Sequence, residues 1–230
     1  MYFTDTPTLN SIEAIMKKLP YSIQKGGGRF RSPYKYTKKD CDCRLCLYYR
    51  KKTGCTATLC PVLDIRLSCG AAPIGDAVKA VFKDANNTAF QKRLSQIYNR
   101  KDDVSMIFQS NRHKQIFETE RFNLRKPGKK ALAVLYLLTA DKSLRQKTKP
   151  FLTSNGKINL KGVHLGDVST DSYALWKAVK ELQTGEKQIS LCELADSGIV
   201  SDNAFRLIVQ AVTIDHFGAA VFNNTEVRYV

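Results

Sequence analysis

Apolar residues recur at helical spacing along most of the chain. Ile12, Ile15, Met16 and Leu19 share one stripe, which predicts a short amphipathic helix from about Leu9 to Leu19. "DAVKAVFKDA" predicts a second helix, with Asp76 placed as its N-cap and Ala77, Val78, Val81 and Phe82 on its apolar side. After Asn86-Asn87, "TAFQKRLSQIYNR" resumes the period with Phe90, Leu94, Ile97 and Tyr98, and leaves Lys92, Arg93 and Arg100 off the stripe. "RHKQIFETERF" reads as a charged amphipathic helix with His113 on its surface. "KPGKKALAVLYLLTA" is apolar on nearly every side and should run through the core. "DSYALWKAVKELQTG" starts on an Asp cap, stops at Gly185 and places Trp176 in the interior.

Two features close the chain. "ISLCELADSGIVSDNAFRLIVQAV" has the habit of a helix-turn-helix: Leu191, Glu193, Leu194 and Ala195 on the first helix, Ser201 as cap, then Phe205, Ile208 and Val209 as a buried face. Asp196, Asp202 and Asp215 surround it, and Arg206 is the one basic residue on its second helix, so a structural helix pair is favoured over a DNA-reading one. Cys192 reads as a small buried hydrophobe there. "GAAVFNNTEVRYV" has the makings of a short β-hairpin turning at Asn223-Asn224. The expected fold is mainly α with small irregular and β elements. Residues 1–40 form a helix and arm, 41–75 a cysteine-rich module and 76–103 a basic helical connector. A helical domain, 104–230, carries the helix-turn-helix-like pair at 189–212.

Charge changes the picture. The net charge of +16 is segregated: residues 1–150 hold 30 Lys+Arg against 12 Asp+Glu, and residues 151–230 hold 7 against 9. A positive field at one end favours a polyanionic partner, since basic surface gains affinity by displacing counterions from phosphates. The first residues lack the basic-then-apolar order of a signal peptide, and "ALAVLYLL" is far short of a membrane span of about 20 residues. A cytoplasmic protein with no membrane partner is the expectation.

Six of the seven cysteines lie between Cys41 and Cys69. In a reducing compartment such a cluster points to metal more than to disulfides. Cys43-x2-Cys46 makes a tight half-site, and Cys55-x4-Cys60 supplies a looser second one for a structural Zn²⁺; an iron–sulfur cluster is the less favoured occupant. The intervening "LYYRKKTG" has room for a small hairpin or a helical turn. Four thiolates on Zn²⁺ leave a charge near about −2, which Arg44, Arg50, Lys51 and Lys52 would offset. Cys41 and Cys69 are surplus, open to roles as buried thiols, alternative ligands or parts of a second site. His113, His164 and His216 are all distant in sequence, which favours a structural site over a catalytic one.

Upstream, "IQKGGGRFRSPYKYTKK" interleaves cations with rings. Arg29, Arg31, Lys35, Lys38 and Lys39, with Arg50, Lys51 and Lys52, suit phosphate contact, and Phe30, Tyr34 and Tyr36 suit base stacking. No Gly-Lys-Ser/Thr closes the glycine run, so it is not a phosphate-binding loop of the P-loop kind. Paired catalytic carboxylates, a nucleophile elbow, His-rich metal spacing and dinucleotide-binding glycines are all missing from the sequence.

"CRLCLYYRKKTGCTATLC", with Cys43, Cys46, Cys55 and Cys60, resembles a cysteine motif in uncharacterised proteins carried on integrative and conjugative elements of Firmicutes. "MYFTDTPTLNSIEAIM" and the block from "KPGKKALAVLYLLTADKSL" through "ELADSGIVSDNAFRLIVQA" share that flavour, covering about half the chain together. The doubled-cysteine tail of that motif is missing, since Cys60 runs into Pro61. The resemblance implies a mobile-element setting, where proteins handle DNA or block host defences such as CRISPR effectors. The leading reading is a non-enzymatic, zinc-stabilised basic protein that binds nucleic acid or a nucleic acid–protein complex. The rival is an inhibitor or adaptor docking on a host nucleic-acid-processing effector. A metal-dependent nuclease is a third reading.

Overall fold

A computed structural model describes residues 36–46, 48–98 and 107–224. The protein is mainly helical, with one two-stranded antiparallel sheet among the described residues. The sheet pairs β1 (Tyr49–Arg50) with β2 (Gly54–Cys55). Three helices follow: α1 (Leu63–Ser68), α2 (Ile74–Val81) and α3 (Thr88–Tyr98). Beyond residue 107 come α4 (Asn111–Phe122), α5 (Lys129–Ala140), α6 (Lys142–Thr148), α7 (Thr170–Thr184), α8 (Leu191–Ala195) and α9 (Asp202–Phe217).

Eight successive residues of α5, Leu132 to Thr139, are buried, as its all-round apolar pattern requires. α4, α7 and α9 surround it, and α9 also packs on α2 and α7. One hydrophobic core runs from Ile74 to Phe222, so α2 and α3 belong to the helical body. Phe90, Leu94, Ile97 and Tyr98 of α3 are all inside it. The segment Asp202–Asn223 is long and apolar enough to cross a membrane by length and composition, and 61% of its most apolar window is buried within this core.

The Gly185 stop and the Ser201 cap are as expected, and several other local expectations are corrected. α2 begins after Pro73, two residues ahead of Asp76, because proline's fixed φ suits a helix start; Asp76 falls in the first turn instead. Ser169 caps α7 by accepting from the Ser172 amide, and Asp171 accepts from the Ser201 amide and hydroxyl at 3.0 and 2.6 Å. Gly185 ends α7 in the left-handed conformation at φ 78°. Ser190 forms a capping box with Glu193, and Ser201 caps α9. α9 packs on α2, α5 and α7, with nine buried positions from Ala204 to Ile214. The terminal hairpin is replaced, as far as Asn224, by a 3-10 turn from Gly218 to Asn224. The adjacent Val221 and Phe222 both bury, which a helical turn allows and an alternating strand does not, and Phe222 stacks on Phe108 at 5.7 Å.

His113 is inside the protein, 2% exposed, because its ring packs on Phe108 and Tyr136 while Nε2 lies 3.0 Å from the Tyr136 carbonyl. Burial pushes its pKa down from 6.5 to about 4, so the folded ring is neutral near pH 7. The unfolded chain therefore takes up this proton first on acidification. Stability should be undiminished above the ordinary value, fall by about 3 kcal/mol between there and the folded value, and then level off. Urea unfolding across that range checks this: His113→Gln, which keeps a donor for the Tyr136 carbonyl, should flatten the slope.

Candidate metal centre and its basic hairpin

Asp42 accepts from the Arg44 amide at 2.9 Å and starts a 3-10 turn over Cys43–Leu45, which the Cys46 amide closes on the Cys43 carbonyl at 3.0 Å. The Tyr49 amide donates to the Cys46 carbonyl at 3.0 Å and leads the chain straight into β1. Register pairs Tyr49 with Cys55 and Arg50 with Gly54. Gly54, at φ +74°, makes the turn back from Lys51-Lys52-Thr53. Because side chains alternate along a strand, Tyr49 and Cys55 share one side of the hairpin, and both line a cavity of about 250 Å³.

Cys43, Cys46, Cys55 and Cys60 all line that cavity, together with Cys41 and Arg66. Burial pushes the Cys43 thiol above its ordinary pKa; Arg66 opposes this, and Cys60, Cys46 and Cys55 add to it through their charges. Arg66 Nη1 lies 3.6 Å from the Cys60 sulfur while Nη2 donates to the Ala71 carbonyl at 2.9 Å. Its Nε is buried and has no hydrogen-bond partner, so one polar atom beside the thiols lacks a mate. All the cysteines are free thiols. Among the described residues no three His, Cys, Asp or Glu side chains converge tightly enough to hold an ion as placed; the four cysteines line a shared space.

The surplus pair proves to be a pair in space. The Cys69 sulfur lies 3.4 Å from that of Cys41 and 3.5 Å from the Arg66 carbonyl. Burial, then the contact with Cys69, pushes the Cys41 thiol up to about 12. Cys192 is exposed rather than buried, with Asn87 Nδ2 3.4 Å from its sulfur, because it lies on the outer side of the short α8.

What packs the module is also clear. No side chain described between residues 36 and 62 is buried; the first is Leu63. Leu63, Leu67, Ala72 and Ala77 form a second small core, joined by Cys60, Phe217 and Ala220. Asn223 Nδ2 donates to the Ser68 carbonyl at 2.8 Å. Gly70, at φ +70°, lets the chain pass so close to Asn223 that a Cβ would stand 2.9 Å from its carbonyl oxygen. The cysteine module thus sits on the 3-10 turn at 218–224.

Of the cations expected to meet phosphate, Arg50, Lys51 and Lys52 are exposed on the hairpin, and Lys38 and Lys39 are exposed in the turn before Cys41. Arg44 is engaged by Asp42 at 2.5 Å. Tyr36 is half-buried. Arg29, Phe30, Arg31, Tyr34 and Lys35, like the helix expected at Leu9 to Leu19, lie outside the described residues. Two further residues lie at the site: Arg66, whose place beside Cys60 depends on α1, and Tyr48, which is 43% exposed beside the cationic turn. Strand alternation applied to "YYR" would have found the second. Comparison with known proteins finds no matching family model, no similar curated protein and no similar solved structure.

Proposed function

We propose that this is a non-enzymatic protein whose cysteine module is held by a structural metal and presents a basic hairpin to nucleic acid. The observation that carries the reading is the pairing of two facts about residues 36–62. This stretch has no buried side chain among those described, yet four of its cysteines line one cavity. A segment without a core needs another source of folding free energy, and a metal–thiolate site supplies it. Sulfur donors in a set of four suit Zn²⁺ first. The hairpin that brings Cys55 to the cavity carries Arg50, Lys51 and Lys52 on its exposed parts, so one device would set both the metal and the cations. A role in the maintenance or transfer of a mobile element is the setting implied by the cysteine motif.

Affinity for a single-stranded or duplex oligonucleotide should fall steeply as salt rises. Replacing Arg50, Lys51 and Lys52 with Gln should reduce the slope of log K against log salt by about 2 to 3 units, in proportion to the phosphates released. Fluorescence anisotropy over a salt series measures this. A protein that shows no binding at about 50 mM salt, or binding indifferent to salt, is not a nucleic-acid binder of this kind. Recovery of one protein partner from nuclease-treated lysate would point instead to the inhibitor or adaptor.

A further inference from the structure

The hairpin has two faces with different chemistry. Tyr49 and Cys55 look toward the thiol cavity, so alternation sends Tyr48 and Arg50 to the other side. Arg50 is paired with Gly54, which has no side chain, and a Cβ there would meet nothing within 4 Å. Tyr48 lies beside Thr56, whose amide and hydroxyl both donate to the Tyr48 carbonyl, at 2.8 and 2.9 Å. The residue is therefore held on backbone fixed from across the hairpin and is still 43% exposed. The turn that follows, Lys51-Lys52-Thr53, is exposed at every position.

Resting on the reading above, we infer that the outer face of this hairpin takes an unpaired nucleotide, its base stacked on Tyr48 and its phosphates held by Arg50, Lys51 and Lys52. Both halves of the chemistry are needed. Cations alone attract any polyanion, duplex or acidic protein, without preference. An exposed ring at their base adds a surface that only a splayed base can cover, because a duplex keeps its base faces inside the stack. The position opposite Arg50 is open, since a Cβ on Gly54 would meet nothing within 4 Å. The chemistry is shared by DNA and RNA, since each offers a base face and a phosphate.

Anisotropy with the full chain, using deoxy and ribo oligonucleotides of about 12 nucleotides and a duplex of equal length, tests the assignment. Tyr48→Ala should cost about tenfold in affinity for the single strands and little for the duplex, while Tyr48→Phe, which keeps the ring, should bind as the parent does. An abasic strand should bind the parent no better than Tyr48→Ala binds the intact strand. Metal content measured on each variant separates a lost ring from a lost fold. Equal losses on single strand and duplex, or none on either while Lys51→Ala/Lys52→Ala weakens both, would overturn the stacking role and leave the basic hairpin intact as a phosphate binder. Absence of salt-sensitive binding to every oligonucleotide would overturn the broader function as well.

Discussion

Chelation is expected to unfold residues 40–62 while the helical body keeps its secondary structure. The body has its own core, with Phe90, Phe117, Tyr136, Leu137, Phe205 and Ile208 almost wholly buried. The module has no such reserve. Its described hydrogen bonds are a few turns and a two-residue hairpin, too few to offset the conformational entropy of about 20 ordered residues. Structural zinc sites contribute about 10 kcal/mol or more of folding free energy at neutral pH, which is the scale of the loss. Alkylation followed by mass spectrometry reads the result by residue. Cys192 should be modified with or without metal, because it is exposed and remote from the cavity. Cys55 is exposed too, so geometry alone would leave it reactive; it should be protected until the chelator is added. Cys43→Ser should abolish high-affinity metal binding. Cys41→Ser should not, since Cys41 pairs with Cys69 at 3.4 Å. Equal reactivity of Cys55 in both states would falsify the metal assignment.

Arg93→Met should destabilise the helical body by about 3 kcal/mol, a fall in Tm of about 10 °C for a chain of this size. Arg93 is 6% exposed, and its guanidinium donates to the Leu194 carbonyl at 2.8 Å and the Val200 carbonyl at 2.6 Å. Those two carbonyls flank the turn from α8 to α9, and among the described residues no other side chain donates to them. The guanidinium also stands 4.7 Å from the centre of the Phe205 ring and 2.8 Å from Asp202 Oδ1. Asp202 is 73% exposed, so that ion pair contributes little, and the cost comes from the stranded carbonyls. Methionine keeps the side chain's length and apolar contact with Phe205 while removing every donor, which isolates this effect. Thermal unfolding measures it; a shift of only a degree or two would mean that water satisfies the turn.

The same residue marks the limit of sequence reading. Helices with a continuous apolar stripe were legible: α5, the Phe90–Tyr98 stripe of α3, and α7 with its stop at Gly185 all carry their period in their own residues. Arg93 lies off the stripe of α3 and yet is buried, because the carbonyls it serves are a hundred residues away. His113 follows the same logic, with a ring held by Phe108 and Tyr136 from other segments. In the cysteine cluster, local spacing pointed to the Cys43/Cys46 turn, and the hairpin was one of two shapes open to "LYYRKKTG". The neighbour of Cys41 was not legible, since Cys69 is brought to it only by the fold of α1. Near the end of the chain, Asn223-Asn224 has the chemistry of a hairpin turn, and the buried site for Phe222 that gives a 3-10 turn instead comes from distant residues.

The seat of the cysteine module is made from residues translated long after it. Leu63 and Leu67 rest against Phe217 and Ala220, and Ser68 is bound by Asn223, some 155 positions downstream. At ordinary elongation rates the nascent module waits about 10 to 30 s for that platform. Through this interval packing offers it nothing. On the proposed reading, an ion caught by its sulfurs would keep the newborn knuckle in shape until the chain circles back to receive it.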